Sequence, residues 1–134
     1  MPKPETLYYR NRVKAMLKQA GGRHDRVETG TTLRGFPDID WTYMGRHIKI
    51  ELKVADRGLI HISPYQFNWH NKEFKAWGKA FFLVWEPENK QSWAFTCKDV
   101  KPVRRKGLRL ADIDEKKLIS DEDDLVSYAL SLFH

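Results

Sequence analysis

Residues 48–54 read IKIELKV, an alternation that puts Ile48, Ile50, Leu52 and Val54 on one side of an extended strand and Lys49, Glu51 and Lys53 on the other. The apolar side predicts burial, while the opposite side sets one carboxylate between two cations. Just upstream, DIDWTY (38–43) alternates in the same way, with Asp38, Asp40 and Thr42 sharing one face and Ile39, Trp41 and Tyr43 the other. Met44-Gly45-Arg46-His47 reads as a hairpin turn between them, without the Asn-Gly or Asp-Gly pair that marks the strongest turns. If the two runs pair, Asp38, Glu51 and Lys53 point from one face of one sheet. Two carboxylates brought that close repel strongly in a partly desolvated site, so one must be protonated or both must share a cation.

Carboxylate oxygens, joined by a backbone carbonyl such as that of Leu52, favour Mg²⁺ or Mn²⁺ over softer metals. A water on such an ion is acidic enough to attack a phosphodiester. Lys53, two residues from Glu51 and therefore on its face, can orient that water and offset negative charge in the transition state. The bland reading of the same three residues is a solvated strand face with weak cross-strand ion pairs.

Outward from this pair, helical spacing of Thr6, Tyr9, Val13, Met16, Leu17 and Ala20 predicts a first helix over 4–20, started by Pro4 and stopped by Gly21-Gly22. HDRVET reads as a short strand and GTTLRGFP as loop. After the loop ADRGLIHI, Ser63, Pro64 and Gln66 form a capping box that opens a second helix, with the stripe Phe67, His70, Phe74 and Trp77 and a left-handed stop at Gly78. AFFLVW is a central strand covered on both sides, and SWAFTC its neighbour. The basic stretch 98–110 reads as loop, and Ser120 with the acidic turn Asp121–Asp124 caps a last helix over 121–133. The order predicts an α/β fold: a mixed β-sheet flanked by helices, in one domain over 1–134 with its core at about 4–100.

The chain has 134 residues and a net charge of +6. Residues 1–110 hold 22 Lys and Arg against 11 Asp and Glu, while residues 111–134 hold 2 against 7, so a basic body carries an acidic tail. A basic body fits a polyanionic partner. Cys97 is the single cysteine, which excludes an internal disulfide and a cysteine zinc cluster and fits a reducing, cytoplasmic compartment, or the nucleus in a eukaryote. No signal sequence, membrane span or small-molecule cofactor motif is evident.

Pro37-Asp38, twelve intervening residues, then Glu51-Leu52-Lys53 resembles the signature of the PD-(D/E)XK nuclease superfamily. GFPDI, IELKV, ISPYQFNW with its helix, and GKAFFLVW look like the VRR-NUC branch and the related archaeal-type Holliday junction resolvases, over about residues 5–86. The resemblance implies a restriction-endonuclease-like core and a Mg²⁺- or Mn²⁺-dependent DNA endonuclease, structure-selective on branched DNA such as a Holliday junction. It implies that Asp38 and Glu51 bind metal, that Lys53 is the catalytic lysine, and that Gln66 assists from the following helix. A first-helix glutamate completes such sites, and Glu5 is the candidate. The α-helical spacing puts Glu5, Tyr9, Arg12 and Met16 on one face. Asp40, on the Asp38 face, is an alternative ligand.

Concerted cutting of two strands implies a homodimer, and so short a nuclease resembles phage or mobile-element proteins. Competing readings are a restriction-like or homing endonuclease, which reads base sequence, and a nucleic-acid-binding module without catalysis. The capping box by itself explains Gln66, and the helix macrodipole by itself explains Glu5. Candidate phosphate contacts are Arg23, Arg26, Arg34, Lys49, Arg104, Arg105 and Lys106. His61 and His70 fit no dense ligand motif, and His70 belongs to its helix's apolar stripe. Trp69 stacks on a base or packs at a dimer contact.

Overall fold

A computed structural model describes residues 2–27, 36–100 and 107–134. The chain opens with a helical rod made of α1 (Pro4–Tyr8), a π-helical turn (Tyr9–Val13) and α2 (Lys14–Ala20). Pro4 stands in the first turn, where a missing N–H costs nothing. Gly21, at φ 99°, ends the rod. Gly22 is also in the left-handed region, and a Cβ there would lie 2.3 Å from the carbonyl oxygen of Thr42, so only glycine lets β1 (Arg23–Arg26) start so close to its neighbour.

Next come β2 (Ile39–Tyr43) and β3 (Arg46–Val54), paired antiparallel. Their turn is tighter than the sequence reading: Met44 and Gly45 alone form it, both with positive φ, and Tyr43 pairs with Arg46. Two such central residues match the right-handed strand twist. After β4 (Leu59–Ile60), α3 (Pro64–Lys75) leads into β5 (Ala80–Glu86), parallel to β3, and β6 (Gln91–Phe95). Then follow β7 (Leu108–Arg109), β8 (Lys117–Ile119) and α4 (Glu122–Ser131). The main sheet has the order β1-β2-β3-β5-β6-β8, and β4 pairs with β7 in a second, two-stranded sheet.

The fold is thus the expected mixed sheet flanked by helices, with two additions. Leu59–Ile60 and Leu108–Arg109, read from sequence as loop, are the paired strands β4 and β7. Lys117–Ile119 joins the sheet edge as β8, against β6. Short strands with so few apolar residues carry almost no alternation to detect. Residues 101–106, the middle of the predicted basic loop, lie outside the described residues.

Each face of the sheet has its own core. Tyr8, Val13 and Leu17 of the rod and Leu125 and Ala129 of α4 pack on Ile39, Trp41, Ile48, Ile50, Leu52, Phe81 and Leu83. The Tyr8 hydroxyl and Ser92 Oγ share a buried 2.7 Å hydrogen bond that ties the rod to β6. On the other face, Phe82, Val84 and Phe95 pack with Ile60, Leu110 and Ile113, and Phe67 of α3 leans on them. β5 is therefore covered on both sides, as its almost wholly apolar sequence demands.

Two helix ends differ from the sequence reading. In α3 the left-handed residue is Trp77, at φ 63°, not Gly78. The Trp77 N–H donates to Phe74 O and the Gly78 N–H to Glu73 O, the paired bonds of a Schellman end. The atoms nearest a Cβ at Gly78 belong to the flexible Glu73 side chain, which can swing aside. The expected apolar stripe also stops short: Phe74 and Trp77 are exposed. In α4 the N-cap is Asp121, not Ser120; its carboxylate accepts from the Asp124 N–H, and Asp124 accepts in turn from the Ser120 N–H. A carboxylate favours this helix start through charge as well as hydrogen bonding.

His70 lies in the core, stacked on Phe82 at 4.1 Å between ring centroids, with no hydrogen-bond partner on either ring nitrogen among the described residues. Burial first, and the Lys53 charge second, lower its pKa from 6.5 to about 4. The folded ring stays neutral where the unfolded chain already takes up a proton, so its stability contribution is complete above pH 6.5 and lost as pH falls toward 4. The full effect is roughly 3 kcal/mol. His70→Leu should flatten the loss of thermal stability over that window; equal slopes for both proteins in melts across pH would refute this.

Candidate active site

The main sheet splits at one end. Pairing of β2 with β3 stops at Ile39 and Ile50, yet β3 runs on to Val54 against β5 alone. The other prong continues without it, since the Val27 N–H donates to the Asp38 carbonyl at 2.7 Å. Past the split, the Leu52 N–H has no strand partner on that side. The Asp38 carboxylate reaches across and accepts it, Oδ2 to N at 2.9 Å. Because the N–H and C=O of one strand residue point to the same side, the Leu52 carbonyl also faces the gap.

The fork opens into a cleft of about 630 Å³ lined by Asp38, Glu51, Leu52, Lys53 and Gln66 with Glu5, Thr6 and Arg10 of the rod, Lys3 before it, and Arg26 and Val27 of the other prong. Glu51 lies at its floor, 2% exposed, and its Oε1 has no hydrogen-bond partner among the described residues. Burial pushes its pKa up from 4.5 to about 10, helped by a hydrogen bond to Asp38 and by that carboxylate's charge. Lys53 opposes this shift and Glu5 adds to it. The structure thus brings the acids of positions 38 and 51 together, and burial with the Asp38 charge favours the protonated form of Glu51.

Lys53 Nζ donates to Gln66 Oε1 at 2.8 Å. That same oxygen accepts from the Ser63 N–H at 2.9 Å, while the Gln66 N–H donates to Ser63 Oγ at 3.2 Å. The capping box thus does not compete with a role for Gln66 in the site: it fixes the amide that holds Lys53. An orphaned, buried carboxylate oxygen beside a second carboxylate and a free carbonyl fits a hard divalent cation. Asp38, Glu51 and the Leu52 carbonyl are the donors that would hold it, with Glu5 at the rim. Among the described residues no three His, Cys, Asp or Glu side chains form a closed cage, so waters or substrate oxygens would fill the remaining positions.

Other candidates are placed elsewhere. Asp40 is ion-paired with Lys49 at 2.9 Å and does not line the cleft, which occupies both the alternative ligand and one candidate phosphate contact. Arg23 is exposed beside Asp25, at 3.5 Å. Arg34, Arg104, Arg105 and Lys106 lie outside the described residues. His61 is exposed and His70 buried, in separate environments. Trp69 packs edge-on against Phe36 at 5.3 Å, so it steadies the residues leading into Pro37-Asp38. Arg12 stacks over Trp85 at 3.9 Å and does not share the cleft with Glu5. The sequence reading missed Lys3, Thr6 and Arg10, although their spacing of three and then four residues puts them on one helical face.

No protein-family model matches the sequence, and no curated protein matches it. Solved structures do match, and two that share this mixed α/β fold are nucleases. One is Hjc, a Holliday junction resolvase of the archaeal hyperthermophile Archaeoglobus fulgidus, with a TM-score of 0.67 at 16% identity, covering 84% of this chain and 94% of its own. Another is the bacterial homing endonuclease I-Ssp6803I, with a TM-score of 0.54 at 11% identity, covering 99% of this chain and 94% of its own.

The raised proton affinity of Glu51 has a thermodynamic sign. The folded state binds a proton more tightly than the unfolded chain, so metal-free stability falls as pH rises from 4.5 toward 10. Glu51→Gln removes the charge that must be neutralised, and should stabilise the metal-free protein at pH 7 by roughly 1–3 kcal/mol. A urea midpoint that stays put or drops would contradict this account.

Proposed function

We propose that the protein is a Mg²⁺- or Mn²⁺-dependent endonuclease that hydrolyses phosphodiester bonds in DNA, selects branched DNA such as a four-way junction, and works as a homodimer. The observation that carries the reading is the buried Glu51 with an orphaned oxygen against Asp38, in an open cleft with Lys53 alongside. A purely structural strand face would not keep a carboxylate at 2% exposure without partners for both oxygens.

A divalent ion bound there would supply Lewis-acid polarisation of the phosphate and a more acidic water. Asp38, Glu51 and the Leu52 carbonyl would hold it. Lys53, oriented by Gln66, faces the phosphoryl oxygens on which negative charge grows as water oxygen bonds to phosphorus and the ester oxygen departs. Gln66 acts as a positioning residue through Lys53. Selection of branched DNA is supported by the likeness to a Holliday junction resolvase. The homing endonuclease likeness spans nearly the whole chain and supports a second reading, cleavage of linear duplex at one sequence.

The experiment is cleavage of labelled four-way junction, linear duplex and single strand, with Mg²⁺ or with chelator. The expected result is junction cutting that chelator abolishes, with Asp38→Ala and Lys53→Ala each slowing it about 100-fold or more while DNA binding persists. Cutting of linear duplex at a single site would favour the homing reading. Wild type that cuts no DNA with either metal, or Lys53→Ala that cuts as fast as wild type, would refute the proposal.

A further inference from the structure

An uninterrupted α-helix turns about 100° per residue, which would set Arg12 on the same side as Glu5 and Arg10 well away from it. Arg10 is placed by ordinary helical spacing all the same, four residues after Thr6 and seven after Lys3, which line the same cleft. Arg10 lines the cleft with Glu5, whereas Arg12 lies over the Trp85 ring. The residue before Arg10 serves a second cation: the Arg26 guanidinium sits 4.8 Å from the centroid of the Tyr9 ring, and the Tyr9 hydroxyl shares a 2.8 Å hydrogen bond with His24 Nε2. Arg26 lines the same cleft.

We infer that Arg10, in the cleft, and Arg26, held on Tyr9, form a two-arginine phosphate clamp that grips the DNA backbone next to the phosphate being cut. The inference rests on the nuclease reading for its substrate, and it adds the groups that position that substrate. Two guanidiniums offer forked donors to phosphate oxygens without neutralising the carboxylate pair, because neither has an ion pair among the described residues.

The test is DNA binding in chelator, followed by fluorescence anisotropy across a salt series, for wild type, Arg10→Ala, Tyr9→Leu and Arg12→Ala, with Arg10→Lys as the conservative variant. Thermal melts identify any variant that has lost its fold. Arg10→Ala should weaken binding about tenfold and reduce the salt slope by roughly one phosphate contact. Tyr9→Leu should do so more mildly through Arg26, Arg10→Lys should recover part of the loss, and Arg12→Ala should bind as wild type. Arg10→Ala that binds and responds to salt like Arg12→Ala overturns the clamp while leaving the nuclease reading intact. Arg10-dependent binding without cleavage in Mg²⁺ or Mn²⁺ overturns the nuclease reading and keeps the clamp. Wild type that binds no DNA overturns both.

Discussion

The hydrogen bond from the Leu52 N–H to the Asp38 carboxylate takes the place of a rung in the sheet. Had β2 continued alongside β3, position 38 would face position 51 in a closed ladder and the Leu52 backbone groups would be consumed by pairing. Instead the strands part after Ile39 and Ile50, and a side chain satisfies the stranded N–H. A buried donor left unmade would cost about 1–3 kcal/mol, so this one contact both permits the split and fixes the direction of the Asp38 carboxyl. The Leu52 carbonyl, the Glu51 side chain and the cleft above them depend on that split. Phe36 against Trp69 secures the approach to the same point from α3.

Stability and proposed chemistry are opposed at Glu51 and reconciled at Gln66. Glu51 is buried on the same sheet face as Phe82, where an apolar residue would pack with no electrostatic penalty. Its retention beside Asp38 is the sort of local conflict that a fold tolerates where function requires it. Gln66 shows no such conflict. Its Oε1 accepts from both the Ser63 N–H and Lys53, so the helix start and the ammonium position are set by one atom. A change there would loosen both.

The hairpin, the central β5, the capping box and the apolar rod were legible because each rests on a period or a local turn chemistry written in consecutive residues. Asp38, Glu51 and Lys53 could be placed together for the same reason, since parity along two strands fixes the face; Gln66 joined them only through the family resemblance, because the capping box by itself accounts for a glutamine there. What stayed hidden depends on partners distant in sequence. β4 finds β7 some fifty residues on, β8 is recognisable as a strand only against β6, and Trp77 takes a left-handed conformation that the neighbouring glycine was expected to supply. The widening of the first helix stayed hidden as well. Residues Tyr9–Val13 contain nothing that an α-helix would refuse, so their sequence does not mark the π-helical turn.

Lys49 and Lys53 show why a shared face does not make a shared role. Both project from the polar side of β3, and sequence pattern cannot tell them apart. Lys49 lies where β2 still pairs, opposite Asp40, and its charge is matched by that carboxylate at 2.9 Å. Lys53 lies beyond the split, where β2 offers no cross-strand partner, and its hydrogen bond goes to the neutral oxygen of Gln66. A neutral acceptor orients an ammonium without cancelling its field, so the Lys53 charge is directed at the cleft, whereas the Lys49 charge is matched by Asp40. The same parting of the strands that exposes the Leu52 backbone therefore also decides which of two lysines faces the site.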